Sequence, residues 1–257
     1  MKTDSIFKSP RARFDDKNGV DLAEVMTYTG DDIKTATNKA ENAVSTIAEE
    51  WKKINPQTPD EMDKFYRETE GYIYDLYCWA HDDKMWELFD KKITGKETVL
   101  DYGCGICDLS IYLAEKGCNV IAVDIPDSKT LQFGMWRVYQ RGLGDKIKFT
   151  FQPETKVDVV LAVDVLEHVL WPLRYVVRLT HHLKEQDSWF FCTPHFFNEG
   201  GHPMHLEENF WLKPQIFGQA MVSLAFKPEQ PIKEFYPIWY PFYLPPPNQV
   251  EATESPK

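Results

Sequence analysis

The chain has 257 residues, 43% hydrophobic and 27% charged, which is typical of a globular protein that buries a sizeable core. Its formal net charge of −11 disfavours nucleic acid as a partner, because a negative field repels phosphate. No apolar run reaches transmembrane length, the N-terminus lacks a signal-peptide pattern, and five cysteines without regular spacing are typical of a reducing compartment. We therefore expect a cytoplasmic protein without a membrane partner.

The sequence pattern of residues 1–95 predicts an N-terminal helical cap. Residues 1–30 have a polar, irregular pattern. Two aspartates then offer a helix start, and apolar residues at spacings of three and four follow them. This spacing predicts one long amphipathic helix from Ile33 to Ile54, which ends before the next proline.

A second helix start follows at Thr58, with Pro59 at the first helical position and Glu61 completing a capping box. The aromatic stretch after it is expected to be helical, with a break near Gly71, and one more helix precedes Gly95. Its aromatic side chains predict a lid that folds over a ligand crevice and excludes water. They are Phe65, Tyr66, Tyr72, Tyr74, Tyr77 and Trp79. Plain packing is the competing interpretation.

From residue 97 the pattern changes to alternating strands and helices. The apolar runs ETVLDYG, NVIAVDI, KIKFTF, VDVVLAV and SWFFCT predict five strands. Such alternation is typical of a doubly wound α/β fold with a mostly parallel sheet. Residues 96–245 are expected to form this core, which ends with a helix in LKPQIFGQAM and strand-like runs in IKEFY and PIWYPFY. The tail, residues 246–257, is expected to be disordered.

A glycine turn, DYGCGICDLS at residues 101–110, lies between the first predicted strand and its helix. Such a turn lets the backbone approach a ligand, while the helix N-terminus points at that ligand. Asp101, Gly103 and Gly105 lie at the carboxyl end of the strand, where open α/β sheets bind ligands. Asp124 closes the second strand, and an acidic residue there accepts hydrogen bonds from a ribose diol.

Two classes of nucleotide ligand compete for this turn. A dinucleotide site requires a third glycine in G-x-G-x-x-G, but Asp108 occupies that position. The acidic residue before the first glycine also suits a positive amino group better than a pyrophosphate. S-adenosylmethionine carries a ribose diol, an ammonium and a sulfonium and no phosphate. The turn therefore favours S-adenosylmethionine, and an oxidoreductase is the least favoured enzyme class.

Over about residues 97–226 the sequence resembles the class I S-adenosylmethionine-dependent methyltransferases. The resemblance rests on VLDYGCGICDLSIYLAEKG, on VIAVDI, and on VDVVLAVDVLEHVLWPL at the fourth strand and its exit. Cys107 replaces the last glycine of the family's D-x-G-x-G-x-G pattern. The resemblance implies a Rossmann-like methyltransferase fold. It also implies a reaction in which S-adenosylmethionine is the cofactor.

The same resemblance implies which residues bind the cofactor. Asp101, Gly103 and Gly105 are expected at its methionine end, and Asp124 at its ribose. The full implied set is Asp101, Tyr102, Gly103, Gly105, Asp124, Ile125, Asp164 and Val165. The family usually has an acidic residue near adenine after the third strand. This chain has FTFQPETK there, in which Gln152 is the candidate substitute.

Asp164, Glu167 and His168 form D-x-x-E-H at the exit of the fourth strand. On a helical turn the three side chains share one face, and such ligands can hold Mg²⁺ or Mn²⁺. The pattern resembles E-x-x-E-H in ubiquinone-pathway O-methyltransferases and small-RNA 2′-O-methyltransferases. There a divalent ion orients the accepting hydroxyl, and a further histidine comes from downstream. In the competing interpretation Asp164 caps the helix and contacts the cofactor, while Glu167 and His168 are packed polar groups.

A histidine-rich stretch, TPHFFNEGGHPMHLEENF, follows the fifth strand, where members of the family place a substrate loop. Its His195, His202 and His205, together with His168, are the candidates for a general base that removes the acceptor's proton. One of them is also a candidate to complete the metal site. The competing interpretation is a loop held by histidine hydrogen bonds.

These patterns together predict a methyltransferase for a small-molecule acceptor, at oxygen rather than at nitrogen or carbon, with a divalent metal as a candidate helper. Three alternatives stay open: an RNA 2′-O-methyltransferase, an N-methyltransferase, and a non-catalytic scaffold that binds cofactor and holds a partner through its long helix. Cys104 and Cys107 form a C-x-x-C that is expected only to fill the loop, because no second cysteine pair offers zinc ligands. No pattern indicates the acceptor's identity or the oligomeric state.

Overall fold

The computed structural model describes residues 22–78, 83–184, 187–193, 204–229 and 238–241. Within these ranges seven strands form one sheet, in the order β3-β2-β1-β4-β5-β7-β6. The strands are β1 Thr98–Tyr102, β2 Asn119–Val123, β3 Ile147–Phe149, β4 Val159–Val163, β5 Trp189–Thr193, β6 Phe226–Pro228 and β7 Ile238–Pro241. β1 to β5 are parallel, whereas β7 runs antiparallel to both β5 and β6.

This topology confirms the predicted α/β class with a mostly parallel sheet. It also confirms a strand in PIWYPFY, at β7. β6, which ends at a proline, was not predicted. The run IKEFY and the tail at 246–257 lie outside the described residues, and the domain limits at residues 95 and 245 stay a prediction.

The described ranges contain ten α-helices. They are α1 Leu22–Thr29, α2 Ile33–Glu41, α3 Ala43–Ile54, α4 Pro59–Glu68, α5 Gly71–Cys78, α6 Asp83–Lys92, α7 Asp108–Glu115, α8 Lys129–Gln140, α9 Pro172–Thr180 and α10 Pro214–Ser223. The capping box of α4 is present, and the chain breaks before Gly71, both as predicted. Among these helices, none combines the length and apolar character needed to cross a membrane.

Two predictions for the N-terminal region are wrong. Residues 22–29 form α1 instead of irregular chain, because Leu22 and Val25 are buried in an apolar cluster with α2, α5 and α8. The long helix expected from Ile33 to Ile54 is two helices. Asn42 interrupts it at φ −107° and ψ 6°, and its side chain donates a hydrogen bond to the Asn38 carbonyl. Asparagine disfavours helix interiors because its amide competes for the backbone in this way.

The sheet is covered on both faces. Along β1 and β4, alternate side chains pack either with α6, α7 and α8 or with α9 and α10. Val99 and Val159 belong to the first face, and Leu100 and Val160 to the second. Burial on both faces explains why the strands read as nearly continuous apolar runs. It also leaves the carboxyl ends of the strands as the open edge where polar side chains collect.

Arg137 of α8 fastens the N-terminal helices to the glycine turn. Its side chain is 1% exposed and pairs with Glu24 of α1 and with Asp108 of α7. It also donates a hydrogen bond to the Ile106 carbonyl within the glycine turn. One buried guanidinium therefore connects the first helix, the helix under the turn, and the turn itself.

We expect Arg137→Met to lower the free energy of unfolding by about 3 kcal/mol, because it leaves two carboxylates without their buried partner. Arg141→Met is the matched control. Arg141 also pairs with Glu24, but it is 33% exposed, so its loss should change stability by less than about 1 kcal/mol. Denaturant unfolding of both variants measures the difference. Equal effects would show that Arg137 does not hold these elements together.

Candidate functional site

A cavity of about 900 Å³ opens at the carboxyl ends of β1, β2 and β4. Its floor is formed by the turns that follow these strands. Residues of α4 and α5 also line the cavity: Pro59, Met62, Asp63, Tyr66, Tyr72, Asp75 and Leu76. The volume lies at the upper end of the range for small-molecule sites, so two ligands of modest size fit together.

The glycine turn fits a ligand because its backbone is exposed to this cavity. Gly103 and Gly105 have φ values of +77° and +52°, in the left-handed region that glycine tolerates. A Cβ on Gly103 would lie 2.5 Å from Val165 Cγ2, and one on Gly105 would lie 3.0 Å from Leu76 Cδ1. Side chains at these positions would press against Val165 and Leu76, so the turn keeps its shape only with glycine.

Two carboxyl groups flank the turn. Asp101 is 2% exposed, its Oδ2 accepts a hydrogen bond from Ser110 Oγ at 2.5 Å, and burial raises its pKa to about 6. Asp124 accepts hydrogen bonds from the backbone N–H groups of Gly105 and Ile125, both at 2.7 Å. Burial raises the pKa of Asp124 despite these bonds. Asp124 therefore fixes the turn against the end of β2 and presents a negative charge there.

The remaining residues of the predicted cofactor set also line this cavity. Tyr102, Ile125, Asp164 and Val165 all do so, as does Gln152 from the loop after β3. The structure therefore brings all eight predicted cofactor residues to one cavity. Their contacts with a cofactor stay a prediction.

Glu167, His168 and His205 form a polar group at the side of this cavity. One ligand atom from each lies within 4.8 Å of the others, and Glu167 is 1% exposed. The His168 and His205 rings are 4.9 Å apart, and Tyr66 Oη lies 3.1 Å from His168 Nδ1. The Leu206 N–H donates to the Glu167 carbonyl, which holds the downstream segment at this position.

Asp164 lies outside this group. It adopts φ +50°, and its Oδ1 accepts a hydrogen bond from Thr193 Oγ1 at the end of β5. The exit of β4 is thus not one helical turn, and a 3-10 turn from Leu166 to His168 carries the glutamate and the histidine. His195 and His202 lie outside the described residues. Of the three downstream candidates, His205 is the one that the described structure places in the site.

The aromatic lid prediction separates into two sets of residues. Tyr66 and Tyr72 line the cavity and surround His168, with ring centroids 5.9 and 6.4 Å from it. Phe65, Tyr74 and Tyr77 are instead buried in apolar clusters between the N-terminal helices. Trp79 lies outside the described residues. In the aromatic stretch, Tyr66 and Tyr72 thus lie where the lid interpretation expects them, and Phe65, Tyr74 and Tyr77 pack as the competing interpretation expects.

Cys104 and Cys107 have the character of buried packing residues. Their sulfur atoms lie 3.9 Å apart, and both side chains belong to an apolar cluster. The hydrogen bond with Cys107, together with burial, holds the pKa of Cys104 well above its usual range. Thiolate is the form that binds metal, so this environment disfavours a metal role.

Sequence reasoning missed Asp75, an acidic residue on the aromatic helix α5. Asp75 lines the cavity, is 6% exposed, and its Oδ1 has no hydrogen-bond partner among the described residues. Burial raises its pKa to about 7. The available signal was a lone acid in YIYDLY, three positions after Tyr72 and on the same helix face.

A family model described as a methyltransferase domain matches residues 70–223, more than half of the chain. The chain belongs to this methyltransferase family. N-methyltransferase 4 of Papaver somniferum is 25% identical over 142 residues, which cover 51% of this chain and 40% of that protein. The match thus spans less than half of that relative's length.

One solved structure, the PH0226 protein, agrees with the fold. The PH0226 protein of Pyrococcus horikoshii OT3 has a TM-score of 0.50 and 15% identity, covering 69% of this chain and 98% of that one. Coclaurine N-methyltransferase bound to N-methylheliamine and S-adenosylhomocysteine has a TM-score of 0.37 and 17% identity, covering 66% and 54%. Family membership confirms the predicted S-adenosylmethionine-dependent methyltransferase.

We expect Asp124→Ala to weaken S-adenosylhomocysteine binding by about 1.5–3 kcal/mol, because it removes a charged acceptor for the ribose diol. The variant also loses the two hydrogen bonds that fix the turn. Titration calorimetry measures the change. Asp145→Ala removes the same charge at an exposed position and should leave affinity unchanged. Unchanged affinity in Asp124→Ala would refute the ribose assignment.

Proposed function

We propose that this methyltransferase acts on a small-molecule acceptor held in the cavity, with His168 as the base that receives the acceptor's proton. The observation that carries the proposal is the position of His168 on the cavity wall, between Tyr66 and His205. When bound, S-adenosylmethionine supplies a methyl group on a positively charged sulfur. The chain's own contribution is to align the acceptor and exclude water, which can supply several kcal/mol of the barrier reduction.

The hydrogen bond between Tyr66 and His168 gives the base its orientation. In the tautomer in which His168 Nδ1–H donates to Tyr66 Oη, Nε2 is the ring nitrogen that would receive the proton. Burial, together with the negative charges of Glu167 and Asp63, holds the pKa of Tyr66 far above its usual range. The phenol therefore stays neutral and serves as a fixed hydrogen-bond partner.

The charge of the cavity supports a small molecule over RNA. Among the described residues that line it, Arg178 is the only arginine or lysine, against eight acids. These acids are Asp63, Asp75, Asp101, Asp108, Asp124, Glu154, Asp164 and Glu167. A phosphate backbone would be repelled at this cavity.

Two observations bear on whether the acceptor atom is nitrogen or oxygen. The named relative N-methyltransferase 4 supports nitrogen. Oxygen, which the D-x-x-E-H pattern favours, is supported by the grouping of Glu167, His168 and His205. One carboxylate and two imidazoles suit Mn²⁺ better than Mg²⁺. A divalent ion held by these three residues would act as a Lewis acid that favours the ionised form of a hydroxyl.

The cofactor is tested by thermal unfolding and calorimetry with S-adenosylmethionine, S-adenosylhomocysteine and NADH. A ligand at 100 times its dissociation constant should stabilise the protein by about 2.7 kcal/mol. We expect stabilisation by the two adenosyl ligands and none by NADH. Methyl transfer to a panel of small amines and alcohols then separates an enzyme from a binding scaffold. Binding of the adenosyl ligands without turnover of any acceptor would favour the scaffold.

The divalent-ion hypothesis has its own test, with Mn²⁺ binding followed by electron paramagnetic resonance. If the three residues hold the ion, His205→Ala should weaken Mn²⁺ binding at least roughly tenfold, because it removes a ligand. His181→Ala, an exposed histidine outside the cavity, is the control. Absent Mn²⁺ binding and activity that is indifferent to a chelator would exclude the ion and leave His168 as the base.

A further inference from the structure

One face of α5 connects the glycine turn with His168. Tyr72, Asp75 and Leu76 are three and four positions apart, and all three line the cavity. Leu76 packs over Gly105, while the Tyr72 ring is 6.4 Å from the His168 ring. Asp75 therefore lies on the helix face that extends from the cofactor turn to the proposed base, which is where an acceptor must bind.

In the described part of the chain, no hydrogen bond offsets the burial of Asp75 Oδ1. The side chain is 6% exposed, and Oδ1 has no hydrogen-bond partner in the described part of the chain. The titratable groups on this part of the cavity come from α4, α5 and the segments after β4 and β5. They are Tyr66, Tyr72, Glu167, His168 and His205. No lysine or arginine is among them, so a charged Asp75 has no permanently cationic partner there, and an ammonium ligand would supply one.

We infer that the acceptor carries an ammonium group and that Asp75 is the residue that pairs with it. This inference rests on the proposed function and deepens it by giving the acceptor a chemical class, an organic amine. The ammonium supplies the missing hydrogen-bond donor for Oδ1. The faces of Tyr66 and Tyr72 beside it favour a cation with apolar substituents.

The cofactor is a weaker explanation for Asp75. S-adenosylmethionine also carries positive charge, but Asp101 and Asp124 already present carboxyl groups at the glycine turn. Asp75 belongs to α5, on the helix face that it shares with Tyr72, whose ring lies 6.4 Å from the His168 ring. A carboxylate there serves a second ligand more directly.

The experiment is calorimetry on the full chain saturated with S-adenosylhomocysteine, using phenethylamine and its neutral counterpart 2-phenylethanol as probes. We expect phenethylamine to bind at least tenfold more tightly. Burial raises the pKa of Asp75 to about 7, so part of the population is protonated near neutral pH, and amine binding should release protons through Asp75. Titrations in buffers of different ionisation enthalpy measure that release.

Asp75→Asn should abolish both the preference for the amine and the Asp75-dependent proton release. Asp145→Asn, which removes the same charge from an exposed residue outside the cavity, should retain both. Binding of S-adenosylhomocysteine shows that each variant is folded, and the proton release of the unmodified chain does not depend on any variant.

Three outcomes would overturn the inference. The first is an absence of amine preference in a chain that binds S-adenosylhomocysteine, including the absence of binding by either probe. The second is an Asp75→Asn variant that keeps the preference. The third is a variant that loses affinity only for S-adenosylmethionine relative to S-adenosylhomocysteine, which would assign Asp75 to the sulfonium. A chain that binds no adenosyl ligand contradicts instead the proposed function itself.

Discussion

The carboxylate of Asp124 holds the glycine turn in place, and the rest of the site depends on that contact. Two backbone N–H groups, from Gly105 and Ile125, donate to one side chain at the end of β2. The parallel sheet places the carboxyl ends of its strands at one edge but does not fix the loops that follow them. Contacts such as those of Asp124 keep these loops in a fixed geometry. The left-handed glycines make the turn tight enough for Val165 to lie against it from the next strand.

The N-terminal helices extend this arrangement from the sheet to the residues of α4 and α5 that line the cavity. Arg137 joins α1 to the base of the glycine turn, and Leu76 of α5 rests directly on Gly105. On the opposite side, Tyr66 of α4 reaches His168. Cofactor turn, acceptor side chains and proposed base are therefore positioned by one set of packed helices. A change in the packing of α5 would move side chains both at Gly105 and beside His168.

The parts of the fold that the sequence predicted are those encoded by local chemistry. Glycines at strand ends, the capping box at Thr58 and alternating apolar runs each require a particular residue type at a particular place. Asn42 shows the limit of periodicity, because a single side chain that bonds its own backbone divides a regular apolar pattern into two helices. α1 escaped detection because its stability comes from residues over a hundred positions away, such as Phe133.

In the candidate site too, the residues placed by local sequence were predicted and those placed by tertiary contacts were missed. The eight predicted cofactor residues lie together because they follow neighbouring strands, and strand order can be anticipated from topology. The partner of Glu167 and His168 could not be assigned among the downstream histidines, since a stretch without hydrophobic periodicity does not predict which side chains point the same way. Asp75 was missed because an acid in a helix is ordinarily solvated, and only tertiary structure reveals that this one is buried.

The burial of Met204 bears on the rate at which ligands exchange. It is fully buried among Ile47, Trp51 and Phe65, so the segment that carries His205 is anchored beneath α3 and α4. Raising these helices must expose side chains that each lose about 1.5–3 kcal/mol on transfer to water. Ligand exchange by that route would therefore be slow and would release His205 together with α3 and α4. Because Tyr66 of α4 contacts His168, the same movement would also remove the hydrogen-bond partner of the proposed base.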